Sequence, residues 1–84
     1  MKHTCPVCGW PELREPPRTA EGAASFEICP SCGFEFGFDD DDWGLTYEAA
    51  RAKWVEDGMK WWSAARAAPG RWRAGDQLTR AGLA

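Results

Sequence analysis

Polar and apolar residues alternate in the first half of the chain, and a three-to-four-residue rhythm replaces that alternation in the second. Ser25-Phe26-Glu27-Ile28 and Phe34-Glu35-Phe36-Gly37-Phe38 follow the period of two that a half-buried strand requires. They predict a short antiparallel sheet, with Phe26 and Ile28 on one face and Phe34, Phe36 and Phe38 on another. The stretch from Glu15 to Gly22 is too rich in Pro and small polar residues for a helix and reads as turns. From Thr46 the spacing lengthens. Tyr47, Ala50, Trp54, Gly58, Trp61 and Ala65 recur at steps of three or four, which draws one stripe down a helix. Thr46 suits an N-cap, and Glu48 lies in the first turn, where the helix dipole favours negative charge. The helical segment is predicted over 46–68, broken or kinked near Gly58 and stopped by Pro69-Gly70. Asp76 is placed to cap a last short turn through Gln77, Leu78 and Arg80.

At 84 residues the chain is one small domain, close to the size at which an apolar core alone is marginal. It divides into a segment over 1–38, an acidic loop over 39–45, the helical segment over 46–68 and a tail over 69–84. Six tryptophans must be accommodated. Trp54 and Trp61 fall on the helical stripe and read as core. Trp10 and Phe34 follow the cysteine units described next and are expected to shield them. Trp62 lies off the stripe. With Arg71, Trp72 and Arg73 it forms a candidate aromatic and cationic interaction surface, of a kind that stacks on bases or anchors a protein partner. The alternative is Trp72 folded back on the helix.

The richest chemistry lies in Cys5-Pro6-Val7-Cys8-Gly9-Trp10 and Cys29-Pro30-Ser31-Cys32-Gly33-Phe34, which hold all four cysteines of the chain with twenty residues between Cys8 and Cys29. Each unit has the form of a metal knuckle. Its turn aims two thiolates at one ion, and the following Gly lets the chain reverse with positive φ. Cys5, Cys8, Cys29 and Cys32 together supply the four ligands of a tetrahedral all-cysteine site, and one zinc ion per chain is the expected occupant. Paired disulfides are the alternative. A bound structural zinc contributes on the order of 10 kcal/mol of apparent folding energy in small peptides. His3, two residues before Cys5, is not needed as a ligand.

Net charge is −3, unevenly spread. Met1 to Leu45 carries nine acids against three Lys or Arg, giving −6, whereas Thr46 to Ala84 carries four against seven, giving +3. A four-thiolate zinc site would make the first half still more negative. Nucleic acid is therefore a poor partner for that half. The run Asp39-Asp40-Asp41-Asp42 lacks the alternate ligand spacing of a calcium loop. It reads as a solvated loop before a helix N-terminus, or as a docking patch for a basic protein. No apolar run could span a membrane, and the N-terminus lacks the apolar stretch of a signal peptide. A cytoplasmic location is expected, since a reducing cytosol suits thiolates on metal. No nucleophile has a visible base, and a closed four-sulfur site leaves no metal-bound water for Glu35 to activate. The chain does not read as an enzyme.

The two knuckles, the block from Glu27 to Gly37, and Thr46-Tyr47-Glu48 through Lys53-Trp54-Val55 and Lys60-Trp61 resemble the small bacterial cysteine-rich CPCC-type proteins, a family of uncharacterised function. The likeness runs from about Thr4 to Trp72. Members commonly carry Cys-Pro-Cys-Cys in a knuckle, whereas Val7 and Ser31 stand in the third place here. Four thiols then fit one mononuclear centre. The knuckles are also similar to those of rubredoxins, a likeness that implies a single iron held by the same four cysteines and one-electron transfer. The interval between knuckles is shorter than rubredoxins usually have, and they have no counterpart of the Trp-rich helix.

The fold expected is therefore small α+β: a zinc-ribbon, rubredoxin-like two-knuckle β element followed by a Trp-rich C-terminal helical segment. The leading function is a non-catalytic, zinc-stabilised module that binds another protein. An iron electron carrier is the first alternative. A nucleic-acid-binding ribbon using Arg66, Arg71, Arg73 and Arg80 is the second. A symmetric homodimer closed through the Trp-rich helix face is also open.

Overall fold

Each Cys-Pro-x-Cys-Gly unit closes its own hairpin, and the two units do so with the same bonds. In the computed structural model, which describes residues 1–84, Cys5 N donates to Trp10 O at 2.7 Å and Gly9 N to Cys5 O at 2.9 Å. The second unit repeats this with Cys29 N to Phe34 O at 3.0 Å and Gly33 N to Cys29 O at 2.8 Å. Gly9 and Gly33 have φ of 88° and 82°, so the glycine after each second cysteine supplies the left-handed turn.

Pairing beyond the knuckles is brief. His3 and Leu13 exchange both backbone bonds below the first, and Ile28 bridges Glu35 below the second. A third small hairpin pairs Arg18 with Ala24. The expected sheet is thus reduced to three isolated bridges, for two reasons. Phe26 takes a left-handed φ of 59°, which ends the regular extension of its strand. The N–H groups of Arg14 and Glu15 turn to the Glu27 carboxylate, at 3.0–3.1 Å, instead of to another strand. The two faces still separate: Phe34 and Phe36 are buried, while Phe26 and Ile28 are exposed. Phe38 is also largely exposed, and its ring lies 6.2 Å from that of Trp43.

Helix α1 covers Tyr47–Glu56. Thr46 caps it, its Oγ1 accepting from Ala49 N at 3.0 Å, and Ala50 and Trp54 form its buried face. The break expected near Gly58 falls here, and the helix does not resume toward 68. Met59 N reaches Trp54 O at 2.8 Å and Gly58 N reaches Val55 O at 3.0 Å, a Schellman closure with Gly58 and Met59 both left-handed. Trp54 Nε1 then donates to Lys60 O at 2.9 Å, which holds the chain in its new direction. Trp61 leaves the stripe and joins an aromatic row, edge-on to Trp10 at 5.1 Å and to Trp72 at 5.3 Å.

Helix α2 covers Ala74–Arg80. Arg73 occupies its N-cap position without a side-chain bond, and Asp76 lies inside the first turn, so the expected Asp76 cap is not formed. A second Schellman closure ends α2 through Leu83 N to Leu78 O at 2.9 Å and Gly82 N to Thr79 O at 3.0 Å. The core is correspondingly compact. Val7, Trp10, Leu13, Phe34, Phe36, Ala50, Trp54 and Leu78 surround the buried cysteines. No helix is long and apolar enough to cross a membrane.

Gly9 packs directly beneath α2. A Cβ there would lie 2.8 Å from both Ala81 Cβ and Gln77 O, whereas one on Gly44 (φ 67°) would meet open space. Gly44→Ala should therefore cost only the conformational penalty, about 1–2 kcal/mol. Gly9→Ala adds overpacking and should cost roughly 3 kcal/mol or more. Urea unfolding of the two variants checks the order; equal losses would show that α2 gives way freely.

Candidate metal centre

The two hairpins bring the Sγ atoms of Cys5, Cys8, Cys29 and Cys32 within 4.8 Å of one another. The short separations cross between units: Cys5 to Cys32 is 3.8 Å and Cys8 to Cys29 is 3.6 Å. A tetrahedron of sulfurs at the usual metal–thiolate distance of about 2.3 Å has edges of about 3.8 Å, so the donor set fits one ion. All four are free thiols, spaced well beyond a disulfide bond. Iron and zinc demand nearly the same edge, so geometry alone does not choose the metal. Cys5, Cys8 and Cys29 are fully buried, and Cys32 is partly exposed.

Four thiols this close cannot ionise independently. Hydrogen bonds from Cys29, then from Cys32 and Cys5, hold Cys8 far below the ordinary thiol range. Cys32 is pushed far up, chiefly by Cys29 and then by Cys5, Cys8 and burial. Cys29 is also raised: its bond with Cys32 acts downward but is outweighed by Cys5, Cys8 and burial. A dication offsets the mutual repulsion of the thiolates, and its binding displaces the thiol protons.

Around the sulfurs, the turn carbonyls of both units are covered, each by a different device. In the first, Arg51 of α1 donates Nε to Val7 O at 2.8 Å and an Nη to Pro6 O at 2.7 Å. In the second, the equivalent carbonyls of Pro30 and Ser31 accept from the backbone N–H groups of Ser63 at 2.9 Å and Trp62 at 3.0 Å. Gln77 of α2 joins the units. Its Nε2 donates to Cys8 O and to Ser31 Oγ, both at 3.0 Å, while its Oε1 accepts from Trp72 Nε1 at 2.8 Å. Every later segment of the chain thus holds a knuckle. Sequence reasoning missed Arg51, Gln77 and the role of Ser31. The one available signal was Gln77, the single glutamine of the chain, together with Ser31 standing where the first unit has Val7.

The expected interaction surface is divided. Trp62 is 55% exposed, and its ring lies over Gly33, where an added Cβ would fall 2.4 Å from the indole. It lines a groove of about 540 Å³ that Cys32, Phe34, Trp54 and Trp61 also line. Trp72 instead folds back on Trp61 and lines a separate cleft with Arg71 and Arg73. The acidic run is not a simple solvated loop. Asp39 Oδ2 accepts from Glu35 N at 2.9 Å, and Asp40 Oδ1 accepts from Gly37 N at 2.7 Å and Asp41 N at 2.9 Å. Arg18 pairs with Asp40 at 3.0 Å and with Asp41 at 2.5 Å. Only Asp42 and the outer side of Asp41 are left to face a partner. Within this network the Asp40 carboxyl lies below its usual range: burial acts upward, but Arg18 and the backbone N–H groups of Gly37 and Asp41 outweigh it.

Two proteins of Bacillus subtilis (strain 168) are similar to this chain, the uncharacterised proteins YozI and YoaQ. YozI is 36% identical over 73 residues, covering 69% of this chain and 60% of its own length. YoaQ is 38% identical over 71 residues, covering 68% of this chain and 60% of its own length. The chain therefore spans about three fifths of these relatives. No family model matches the chain, and no solved structure does.

Gln77→Ala strips partners from Cys8 O, Ser31 Oγ and Trp72 Nε1 together. Buried polar groups left unpaired cost about 1–3 kcal/mol each, and partial relaxation should hold the total near 3–4 kcal/mol. Arg51→Ala removes two charge-assisted bonds at a half-buried site and should cost about 2 kcal/mol. Both variants should lose metal to a competing chelator faster than the parent. Unchanged release rates would mean that these bonds do not brace the knuckles.

Proposed function

We propose that this chain is a zinc-stabilised, non-catalytic protein-interaction module built on a zinc-ribbon-like pair of knuckles. The convergence of all four cysteines on one closed site carries the reading, because such a site braces a fold and leaves no coordination position for a substrate. Exposed aromatics support the interaction role. Phe26 is 62% exposed and Trp43 is 73% exposed, and both lie outside the core that the metal organises. Neighbouring acids favour a partner with basic character. A reducing cytoplasm is the compartment that suits free thiolates. Similarity to YozI and YoaQ adds no role, since both are themselves uncharacterised.

One observation favours a second reading, the rubredoxin-like iron carrier. Cys32 is the one partly exposed sulfur, and it borders an aromatic groove that a redox partner could approach. Elemental analysis of protein purified from its native host separates the two. The zinc reading expects a colourless protein with one zinc per chain that loses near-ultraviolet dichroism when a strong chelator removes the ion. A red protein that dithionite bleaches would transfer the assignment to electron transfer. Protein free of metal that keeps its fold would sink both.

A further inference from the structure

A second site lies away from the sulfurs, in a cleft of about 300 Å³ between the first knuckle and the C-terminal segment. Arg71, Arg73 and Arg80 all line it. None of them has a carboxylate within ion-pair distance, although Lys2, Arg18 and Lys53 elsewhere each find one. Of the acids on the cleft wall, Glu12 is already bound to Lys2 at 2.6 Å, which leaves only Asp76 uncommitted. Three guanidiniums thus share a concave site with one free carboxylate, in a chain whose net charge is −3. All three are exposed, and an anion in the cleft would supply the counter-charge that the fold itself does not.

Two further details point the same way. Arg71 holds φ at 64° in the turn that Trp72 N closes onto Pro69 O at 3.1 Å, a conformation glycine would adopt freely and arginine rarely does. The ring of Trp72 is fixed by its bond to Gln77, so the cleft floor is rigid.

We propose that this cleft binds a small phosphate-bearing molecule, with Arg71, Arg73 and Arg80 as its counter-ions. Guanidinium forks match phosphate oxygens bidentately, and three of them suit a dianion better than a single carboxylate. The volume is at the lower end for small-molecule sites, which fits one phosphate and a compact organic body rather than a polymer. Inorganic phosphate and a phosphomonoester metabolite share this chemistry.

Calorimetric titration of the metal-loaded chain at low ionic strength tests it, using inorganic phosphate, a nucleoside monophosphate, acetate and a single-stranded oligonucleotide as probes. The expected result is saturable binding of phosphate or the monophosphate, and little heat from acetate. Tighter binding of the monophosphate would identify an organic phosphate as the source, and equal binding would identify the free ion. R73Q/R80Q should weaken binding by at least about tenfold while keeping the parent metal content. R14Q removes a charge outside the cleft and should leave affinity unchanged. D76N should strengthen binding by about threefold. The proposal is overturned by absence of saturable binding, by equal weakening in R14Q, by weaker binding in D76N, or by binding of the oligonucleotide alone.

Discussion

Four sulfurs held at the edge lengths of a tetrahedron are the constraint from which the rest of this structure follows. Eleven residues make up the apolar core, and three of them are the candidate ligands Cys5, Cys8 and Cys29. A chain this short buries a modest share of its apolar surface, and its two helices are of ten and seven residues. Helices of that length have marginal stability unless something packs against them. The knuckles provide that surface, and an ion held by the four sulfurs would fix the knuckles.

The knuckles are braced in a way that makes the small domain cooperative. Their turn carbonyls point outward, where water would otherwise satisfy them. Instead α1 covers one pair through Arg51, the chain after α1 covers the other through Trp62 and Ser63, and α2 spans both units through Gln77. Each of these elements is docked by polar bonds of defined direction as well as by apolar contact. Polar docking specifies one orientation where a small apolar face would tolerate several. The aromatic row of Trp10, Trp61 and Trp72 then fills the space between the hairpins and the tail.

Much of the site was legible in the sequence, and rather less of the fold. The paired Cys-Pro-x-Cys-Gly units disclosed both hairpins, because positive φ after the second cysteine is a local demand that Gly9 and Gly33 answer locally. Thr46 and Ala50 to Trp54 disclosed α1 for the same kind of reason. The stripe misled beyond Gly58. Trp61 and Ala65 keep helical spacing, yet the closure at Gly58 and Met59 sends the chain back to the second knuckle. The break near Gly58 was legible locally, but whether the helix resumes after it depends on the distant carbonyls of Pro30 and Ser31, which no local window contains. The shortness of the strands was hidden likewise, since it rests on the Glu27 carboxylate capturing N–H groups more than ten residues away. Arg51 and Gln77 could be read only as polar residues on helices until their partners, more than forty residues distant in sequence, were in view.

The unequal burial of the sulfurs gives the cage a direction. Cys5, Cys8 and Cys29 are buried, whereas Cys32 is partly exposed and precedes Gly33, over which the indole of Trp62 lies. An acceptor thiol or chelator approaching an ion held by these four sulfurs would meet Cys32 first, so ligand substitution would begin there. Trp62, half-exposed and packed over Gly33, would then be the side chain that has to move to widen that approach.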